Sequence, residues 1–330
     1  MKRSASLMMA ALLAVTVPIR AAFAELDLDK VLAPIIALEA TIPGDARSAN
    51  TLGTVRGGTG VVIDGAGLVL TIGYLILEAD SVDLLPNGLE GERVPADVVA
   101  WDQITGLGLV RSRRSLGVAP MPVGTSAGLG VGDAVIAVDW EKIGGMFPAV
   151  VFKKGVYAGY WEYMIEDALY VSPGHPGFPG AALVSLDGKL AGVGGFADTD
   201  PDAEYAIAGT VFIPIDALKP ILADLLLSGR SSQTRAWLGL YCEEFDGSLR
   251  VRRLPDDGPA IRAGIRPGDY LLTVGNTPVR TLPDFYRQLW TTTRPGDHVT
   301  VQLRRGTETF SVELEAMDRY ERYKAARQAP

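Results

Sequence analysis

Apolar residues follow two different patterns along the chain. Between about residues 25 and 215 they form short runs bounded by glycines and turn pairs, as in Gly60–Ile63 and Ala134–Val138. Short runs of this kind predict strands, and many strands at this spacing indicate a β-barrel or sandwich. Residues 215–227 instead place their apolar side chains on one helical face, with Gly229 just beyond, which predicts a helix.

A second unit follows the small, polar stretch 228–235, which we interpret as a linker. The pattern there predicts a helix over Leu282–Trp290 and strands near 237–241, 248–254, 270–274, 298–304 and 309–315. The tail from Asp318 is charged, and we expect it to be a solvated helix end. The alternative is a binding patch built from its basic residues Arg319, Arg322, Lys324 and Arg327.

The N-terminus has the features of a cleavable export signal. Lys2 and Arg3 precede the apolar stretch Leu7–Ile19, and Ala22-Phe23-Ala24 has the small–x–small form of a signal-peptidase site. We expect cleavage after Ala24. An uncleaved anchor is the alternative, but the stretch is shorter than the ~20 apolar residues of a spanning helix. No later segment reaches that length, so we expect no membrane span in the mature protein.

Composition narrows the functional classes. The chain has 330 residues, a length typical of two domains, and a formal net charge of −8. An acidic balance argues against nucleic-acid binding, which needs a basic surface. The two histidines and single cysteine argue against a metal site, and we expect no cofactor. We predict that His298 lies on a strand surface and that Cys242 is a buried structural thiol rather than a reactive one.

Several stretches, in order and spacing, resemble one known family. The first set resembles the trypsin-like domain of HtrA-family periplasmic serine proteases, and the second resembles the PDZ domain that follows it in that family. The first set is Gly58–Ile63, Leu70–Ile76, Asp102–Leu107, Pro176–Val184, Ser185–Leu190 and Phe212–Ile215, and the second is Trp237–Leu240, Gly258–Ile265 and Pro267–Asp269.

The resemblance implies a mostly β fold, with a trypsin-like double β-barrel followed by an α+β PDZ domain. The implied order is a signal peptide at 1–24, a protease-like domain at 25–230, a PDZ domain at 231–318 and a charged tail at 319–330. Together with the export signal it implies a periplasmic location. Because family members often assemble through their protease domains, a homotrimer is one expected assembly.

The positions that matter for catalysis depart from the family. Its members hydrolyse peptides with a Ser-His-Asp triad. This chain has Tyr74 at the histidine, Gly106 at the aspartate and Pro179 at the serine. A phenol with a pKa near ~10 is no base at neutral pH, glycine has no carboxylate, and proline has neither hydroxyl nor backbone N–H. Pro179 therefore also removes an oxyanion donor, while Gly177 keeps the other, and we expect no catalytic residues.

A relocated Ser-His pair is the substitute that the sequence offers. Ser172 and His175 lie three residues apart beside the degenerate site. No aspartate position is suggested for them, and the surrounding prolines indicate a rigid segment. We therefore interpret both as ordinary loop residues.

The PDZ-like half keeps the residues that bind peptides in that domain family. The segment Trp237-Leu238-Gly239-Leu240 is similar to the carboxylate-binding turn, whose backbone amides receive a peptide C-terminus. We expect Phe285 and Leu289 on the helix that forms the far wall of the groove. For Leu238 and Leu240 groove and core are both open interpretations, and for Phe285 core packing is slightly favoured.

The leading hypothesis is a catalytically inactive HtrA-like protein of the cell envelope. It would bind peptide C-termini or unfolded segments through its PDZ domain, as a chaperone or scaffold, or regulate an active HtrA-type protease by mixed assembly. One alternative is an active serine endopeptidase of periplasmic protein quality control with a non-standard site. Another is a structural subunit of an envelope complex.

Overall fold

The computed structural model describes residues 26–141, 145–198 and 209–323. The predicted signal peptide and its cleavage site after Ala24 lie outside these ranges, as do Lys324 and Arg327 of the tail. Within them, no helix combines the length and the apolar composition needed to cross a membrane.

The first domain opens with a closed barrel of six antiparallel strands, paired in the order β1-β2-β3-β6-β5-β4. Every residue of its third strand is buried, because that strand runs through the centre of the apolar core. The bounds are α1 Leu28–Leu32, β1 Ile35–Thr41, α2 Ala49–Leu52, β2 Val55–Val62, β3 Leu68–Ile72, α3 Gly73–Ile76, β4 Ser81–Leu85, β5 Val94–Trp101 and β6 Leu107–Ser112.

A second closed barrel packs against the first and pairs its strands in the order β10-β11-β12-β9-β8-β7. Its two longest strands, β8 and β9, form a hairpin that reaches beyond the barrel toward the C-terminal domain. The bounds are β7 Ala134–Val138, β8 Met146–Gly159, β9 Tyr163–Ser172, β10 Ala182–Val184, β11 Leu190–Asp198, β12 Gly209–Pro214, a 3-10 turn at Ile215–Ala217 and α4 Leu222–Ser228.

The C-terminal domain is a sheet of antiparallel strands in the order β14-β15-β16-β18-β19, with β17 paired to β16 and a helix, α6, packed against it. A separate pair, β13 with β20, joins its start to its end. The bounds are β13 Ala236–Trp237, β14 Tyr241–Phe245, β15 Ser248–Arg253, α5 Pro259–Arg262, β16 Tyr270–Val274, β17 Thr277–Pro278, α6 Leu282–Thr292, β18 His298–Arg305, β19 Glu308–Glu315, β20 Met317–Asp318 and α7 Arg319–Arg322.

The architecture confirms the predicted fold class, a mostly β double barrel followed by a PDZ-type domain. The helix predicted at Leu282–Trp290 is confirmed as α6, which begins where the Thr281 hydroxyl accepts a hydrogen bond from Asp284 N. The single helix predicted over 215–227 is wrong, because the 3-10 turn and α4 are separate. Pro220 lies between them, and a proline has no N–H to donate to the preceding turn.

The prediction of a solvated tail is wrong for residues 319–323. The Tyr320 ring packs on Trp101 with centroids 4.9 Å apart, and its hydroxyl donates to Asp102 Oδ1 over 3.1 Å. Arg322 Nε lies 3.2 Å from Asp257 Oδ1. The start of the tail therefore connects the first barrel to the PDZ-type domain.

The β8–β9 hairpin belongs to two domains at once. Met164 lies within the apolar core of the PDZ-type domain, and Val156 and Ala158 pack against that core. The hydroxyl of Tyr286, on α6, donates to Gly159 O over 2.6 Å. The hairpin is thus inserted against α6, where it fixes the second barrel to the C-terminal domain.

Candidate functional site

The three positions aligned with the triad lie around one cleft between the barrels. Tyr74 lies in α3, and Gly73 N donates to Gly106 O over 2.7 Å, which holds the first two positions together. Tyr74, Gly106 and Phe178 line the same cavity, and Pro179 follows Phe178 in the chain. The carbonyl of Pro179 accepts a hydrogen bond from Thr59 N over 2.9 Å, which ties the third position to the first barrel.

Tyr74 crosses the cleft instead of offering a base. Its hydroxyl donates to Gly195 O, on β11 of the second barrel, over 3.2 Å. Burial raises the pKa of the Tyr74 phenol well above its usual value. At neutral pH the side chain is therefore a neutral donor that cannot accept a proton from a nucleophile.

The space beside Gly106 is already filled. Gly106 has φ +77°, and a Cβ there would lie 2.7 Å from Tyr163 Oη. That hydroxyl donates to Thr105 O over 2.5 Å, so the ring is held in place. The left-handed backbone and the Tyr163 ring therefore leave no room for a side chain at position 106.

A carboxylate lies against Gly177, for which the resemblance implies a role as oxyanion donor. Asp139 follows β7, is 4% exposed, and its carboxyl group packs so closely on Gly177 that a methyl group there would overlap it. Burial raises the pKa of Asp139 to about 6, so most of the carboxyl is ionised at neutral pH. A negative charge here disfavours a second negative charge close to Gly177, because like charges repel strongly at short range in a protein interior.

The alternative Ser172–His175 pair is not assembled. The His175 side chain is buried with Nε2 3.4 Å from Asp139 Oδ2, and its ring packs on Phe147. Neither ring nitrogen makes a hydrogen bond to a described residue, so none joins Ser172 to His175. Burial lowers the pKa of His175, which favours the neutral ring. Sequence reasoning missed Asp139, because Gly177 and His175, which it contacts, lie more than 30 residues further along the chain.

The predicted carboxylate-binding turn already holds a carboxylate. Leu238 N donates to Glu162 Oε2 over 3.0 Å, and Leu240 N donates to Glu162 Oε1 over 2.7 Å. Gly239, between them, has φ +73°, the left-handed conformation that lets both amides face one acceptor. The side chain of Glu162 thus makes the contacts that a peptide C-terminus makes in this type of turn.

Glu162 reaches the turn from the loop of the β8–β9 hairpin. Gly159 pairs with Tyr163, so the loop is residues 160–162, and Glu162 has φ +57°. Three-residue hairpin loops place their last residue in the left-handed region, where glycine is usual. The Tyr286 hydroxyl accepts a hydrogen bond from Glu162 N over 3.1 Å. A backbone conformation that is costly for glutamate is therefore held by contacts to α6.

Glu162 is a buried ionisable group. Burial raises the pKa of Glu162 to about 7, although the amides of Leu238 and Leu240 and the charge of Arg319 favour the ionised form. The free-energy cost of desolvating the charged carboxylate is therefore larger than the stabilisation that these hydrogen bonds and this charge provide. Nothing in the local sequence indicates this role, because Leu238 lies 76 residues further along the chain.

The predicted groove residues are buried in the core of the PDZ-type domain. Leu238, Leu240, Phe285 and Leu289 are all 0% exposed. The Trp237 ring is also buried, packs beneath the turn against Gly239, and has no hydrogen-bond partner for Nε1 among the described residues. These side chains therefore pack in the core, and the prediction that Phe285 and Leu289 line an exposed groove wall does not hold in this conformation.

His298 and Cys242 lie outside the cleft and the turn. His298 is exposed at the start of β18, and Cys242 is fully buried, as predicted, with burial raising its pKa. In the part of the chain that the structure describes, no group of three or more His, Cys, Asp or Glu side chains lies close enough to hold a metal ion.

Comparison with known proteins gives two family matches, one for each unit. The pattern described as "Trypsin-like peptidase domain" matches residues 58–193, and the one described as "PDZ domain" matches residues 236–316. The chain is therefore a protein of the trypsin-like peptidase fold with a C-terminal PDZ domain.

The chain is also similar to curated proteins that are named as serine proteases of the HTRA2 and DegP-like kinds. The mitochondrial serine protease HTRA2 of Bos taurus is 27% identical over 291 residues, covering 78% of this chain and 59% of that protein. A DegP-like periplasmic serine endoprotease of Brucella suis is 26% identical over 308 residues, covering 83% and 57%. The chain thus spans less than three fifths of these relatives.

A solved structure described as the HtrA-type protease AlgW with decapeptide has the same fold. It matches with a TM-score of 0.54 and 18% identity, covering 89% of this chain and 99% of that one.

Proposed function

We propose that this protein is a catalytically inactive HtrA-like protein of the periplasm that acts by binding peptides. The observation that carries the proposal is the composition of the cleft, where Tyr74, Gly106 and Pro179 take the three triad positions. None of these side chains is a base, an orienting carboxylate or a nucleophile.

The magnitudes support inactivity. Loss of a triad typically costs on the order of 10⁶ in turnover, or ~8 kcal/mol of barrier. Loss of one oxyanion donor costs roughly 10²–10³. These effects are not additive, but the carboxylate of Asp139 beside Gly177 acts in the same direction as both.

The binding part of the proposal rests on the PDZ turn. Its amides hold the Glu162 carboxylate over 2.7 and 3.0 Å, which supports a turn competent to receive carboxylates. The related protease AlgW is described with a decapeptide. External C-termini or unfolded segments would bind where Glu162 now lies, after the hairpin loop moves away.

Casein cleavage by purified residues 25–330, with fluorophosphonate labelling of the same samples, tests inactivity. An active HtrA-type protease is the positive control, and Ser172→Ala and His175→Ala variants identify any activity of the relocated pair. We expect neither cleavage nor labelling. Cleavage carried with labelling of this chain, and lost in Ser172→Ala, would establish the alternative of a serine endopeptidase with a non-standard site.

Assembly and partners follow from the same proposal. The relatives' names place DegP-like proteins in the periplasm, and the resemblance to the HtrA family implies an oligomer. We propose a homotrimer or a mixed assembly with an active HtrA-type protease, and sedimentation of the protein alone and with such a protease separates the two. Recovery only within a stable stoichiometric envelope complex would favour a structural subunit instead.

A further inference from the structure

A cavity of about 460 Å³ lies where the degenerate cleft, the PDZ domain and the start of the tail meet. Ten of the chain's 25 aromatic residues line it, which is far more than even spacing over the surface would give. Tyr160, Trp161 and Phe196 are only half-buried, so part of each ring remains exposed to the cavity. Cavities of this size with mainly apolar walls are typical of small-molecule sites.

The charges around the cavity are mainly positive. Among the described residues that line it, four are arginines and one, Asp102, is a carboxylate. The oxygens of Asp102 accept hydrogen bonds from Thr105 and Tyr320. In a chain with a net charge of −8, this concentration of guanidinium groups is a local exception.

Two of these arginines form no salt bridge with a carboxylate of the described residues, although the charge of Glu162 acts on Arg319 from a longer distance. Arg253 is exposed, and among the described residues its side chain donates one hydrogen bond, to the hydroxyl of Thr51 over 3.3 Å. The Nε of Arg319 is buried and has no hydrogen-bond partner among the described residues, whereas the rest of its guanidinium contacts Tyr323 and, over a long 3.4 Å, Glu162 O. A buried N–H that lacks an acceptor in a positively charged cavity favours an anionic ligand.

We propose that this cavity binds a small organic anion with an aromatic body, such as an aryl carboxylate or aryl sulfonate. The aromatic walls take the apolar body, and the guanidinium groups of Arg319 and Arg253 take the anionic group. This inference is independent of the proposed function, because it requires neither an inactive cleft nor an open PDZ groove.

Two fluorescent probes with almost the same aromatic body test the proposal. One is 1-anilinonaphthalene-8-sulfonate, and the other is N-phenyl-1-naphthylamine, which lacks the sulfonate. We expect one sulfonate probe per chain, bound at least about tenfold more tightly than the neutral probe, since partly buried charge-assisted hydrogen bonds are worth that much. Displacement by 2-naphthoate checks that a carboxylate takes the same place.

Matched variants locate the site. Arg253→Gln removes a charge that makes no ion pair, and it should weaken the sulfonate probe about fivefold while leaving the neutral probe unchanged. Arg280→Gln removes the same charge from the exposed segment between β17 and α6, and it should change neither. Circular dichroism confirms that both variants fold.

Three results would overturn the inference. They are no saturable binding, equal affinity for the two probes, and equal weakening by Arg253→Gln and Arg280→Gln. The second indicates a merely apolar surface, and the third indicates a general effect of net charge.

Discussion

Replacing Glu162 with glutamine should convert the PDZ domain from a self-occupied to a peptide-accepting state. The carboxylate accepts one hydrogen bond on each oxygen, from Leu238 N and Leu240 N. A glutamine of the same shape keeps one acceptor and turns an NH₂ group toward the other amide. One bond is lost and two donors then face each other.

The size of the effect follows from the contacts. A hydrogen bond to a charged acceptor is worth ~1.5–3 kcal/mol, so above about pH 8, where a carboxyl with a pKa of about 7 is ionised, Glu162→Gln should weaken the internal contact by about that much. An external peptide binds only when the turn is free, and its apparent affinity scales with the free fraction. The apparent affinity for a C-terminal peptide should therefore rise by roughly 10–100-fold.

Calorimetric titration of the full mature chain with a peptide ending in a hydrophobic residue and a free carboxylate measures this change. The same peptide with an amidated C-terminus is the ligand control. Glu166→Gln is the protein control, because Glu166 lies on the same hairpin and pairs with Arg287 on α6 over 2.7 Å, yet it touches no amide of the turn. Because the Glu166–Arg287 ion pair is exposed and therefore weak, Glu166→Gln should change the peptide affinity by less than about fivefold.

The outcomes distinguish a specific effect of the Glu162 carboxylate from an effect of the whole hairpin. If Glu162→Gln and Glu166→Gln raise the affinity equally, the hairpin as a whole and not the carboxylate excludes the ligand. If neither variant binds the free-carboxylate peptide, the turn does not receive peptides, and the binding part of the proposed function is refuted. Tight binding by the unaltered chain would refute the self-occupied state.

Three further results are expected. Restoring the triad with Tyr74→His, Gly106→Asp and Pro179→Ser should leave casein cleavage at least about 10⁴-fold below that of an active relative, because the aspartate side chain introduced at position 106 would overlap the Tyr163 hydroxyl. A cleavage rate within about 10⁴-fold of the active relative would contradict this. Because burial raises the pKa of Glu162 to about 7, the wild type should lose up to ~3 kcal/mol of unfolding free energy relative to Glu162→Gln as pH rises from 4.5 to 7.5, measured by urea unfolding; a constant difference would show that Glu162 does not titrate there. Tyr286→Phe should lower the free energy of unfolding by about 1–3 kcal/mol in thermal melts, because Gly159 O and Glu162 N lose their partner; an unchanged melting temperature would contradict the contact.

The sequence predicts elements whose causes are local. Glycine-bounded apolar runs and the turn at Trp237–Leu240 are set by neighbours within a few residues, so the barrels and the PDZ domain were predictable. The helix break at Pro220 was also predictable from the sequence, because proline is costly inside a helix. Asp139 and Glu162 act on residues far along the chain, at Gly177 and Leu238, so no local spacing indicates their roles.

The hairpin loop links the two candidate binding regions. Residues 160 and 161 form a wall of the aromatic cavity, while residue 162 occupies the PDZ turn. A peptide that displaces Glu162 must therefore move the loop and alter the cavity wall. By thermodynamic linkage, the factor by which peptide changes the affinity for the sulfonate probe must equal the factor by which the probe changes peptide affinity.

This coupling can be measured without any variant. The affinity for 1-anilinonaphthalene-8-sulfonate is titrated with and without saturating C-terminal peptide, and the peptide affinity is titrated with and without saturating probe. We expect both affinities to fall, because the probe needs Tyr160 and Trp161 in place and the peptide needs their loop displaced. If neither ligand changes the affinity for the other, the loop does not move when peptide binds. The Glu162 side chain alone would then rotate out of the turn.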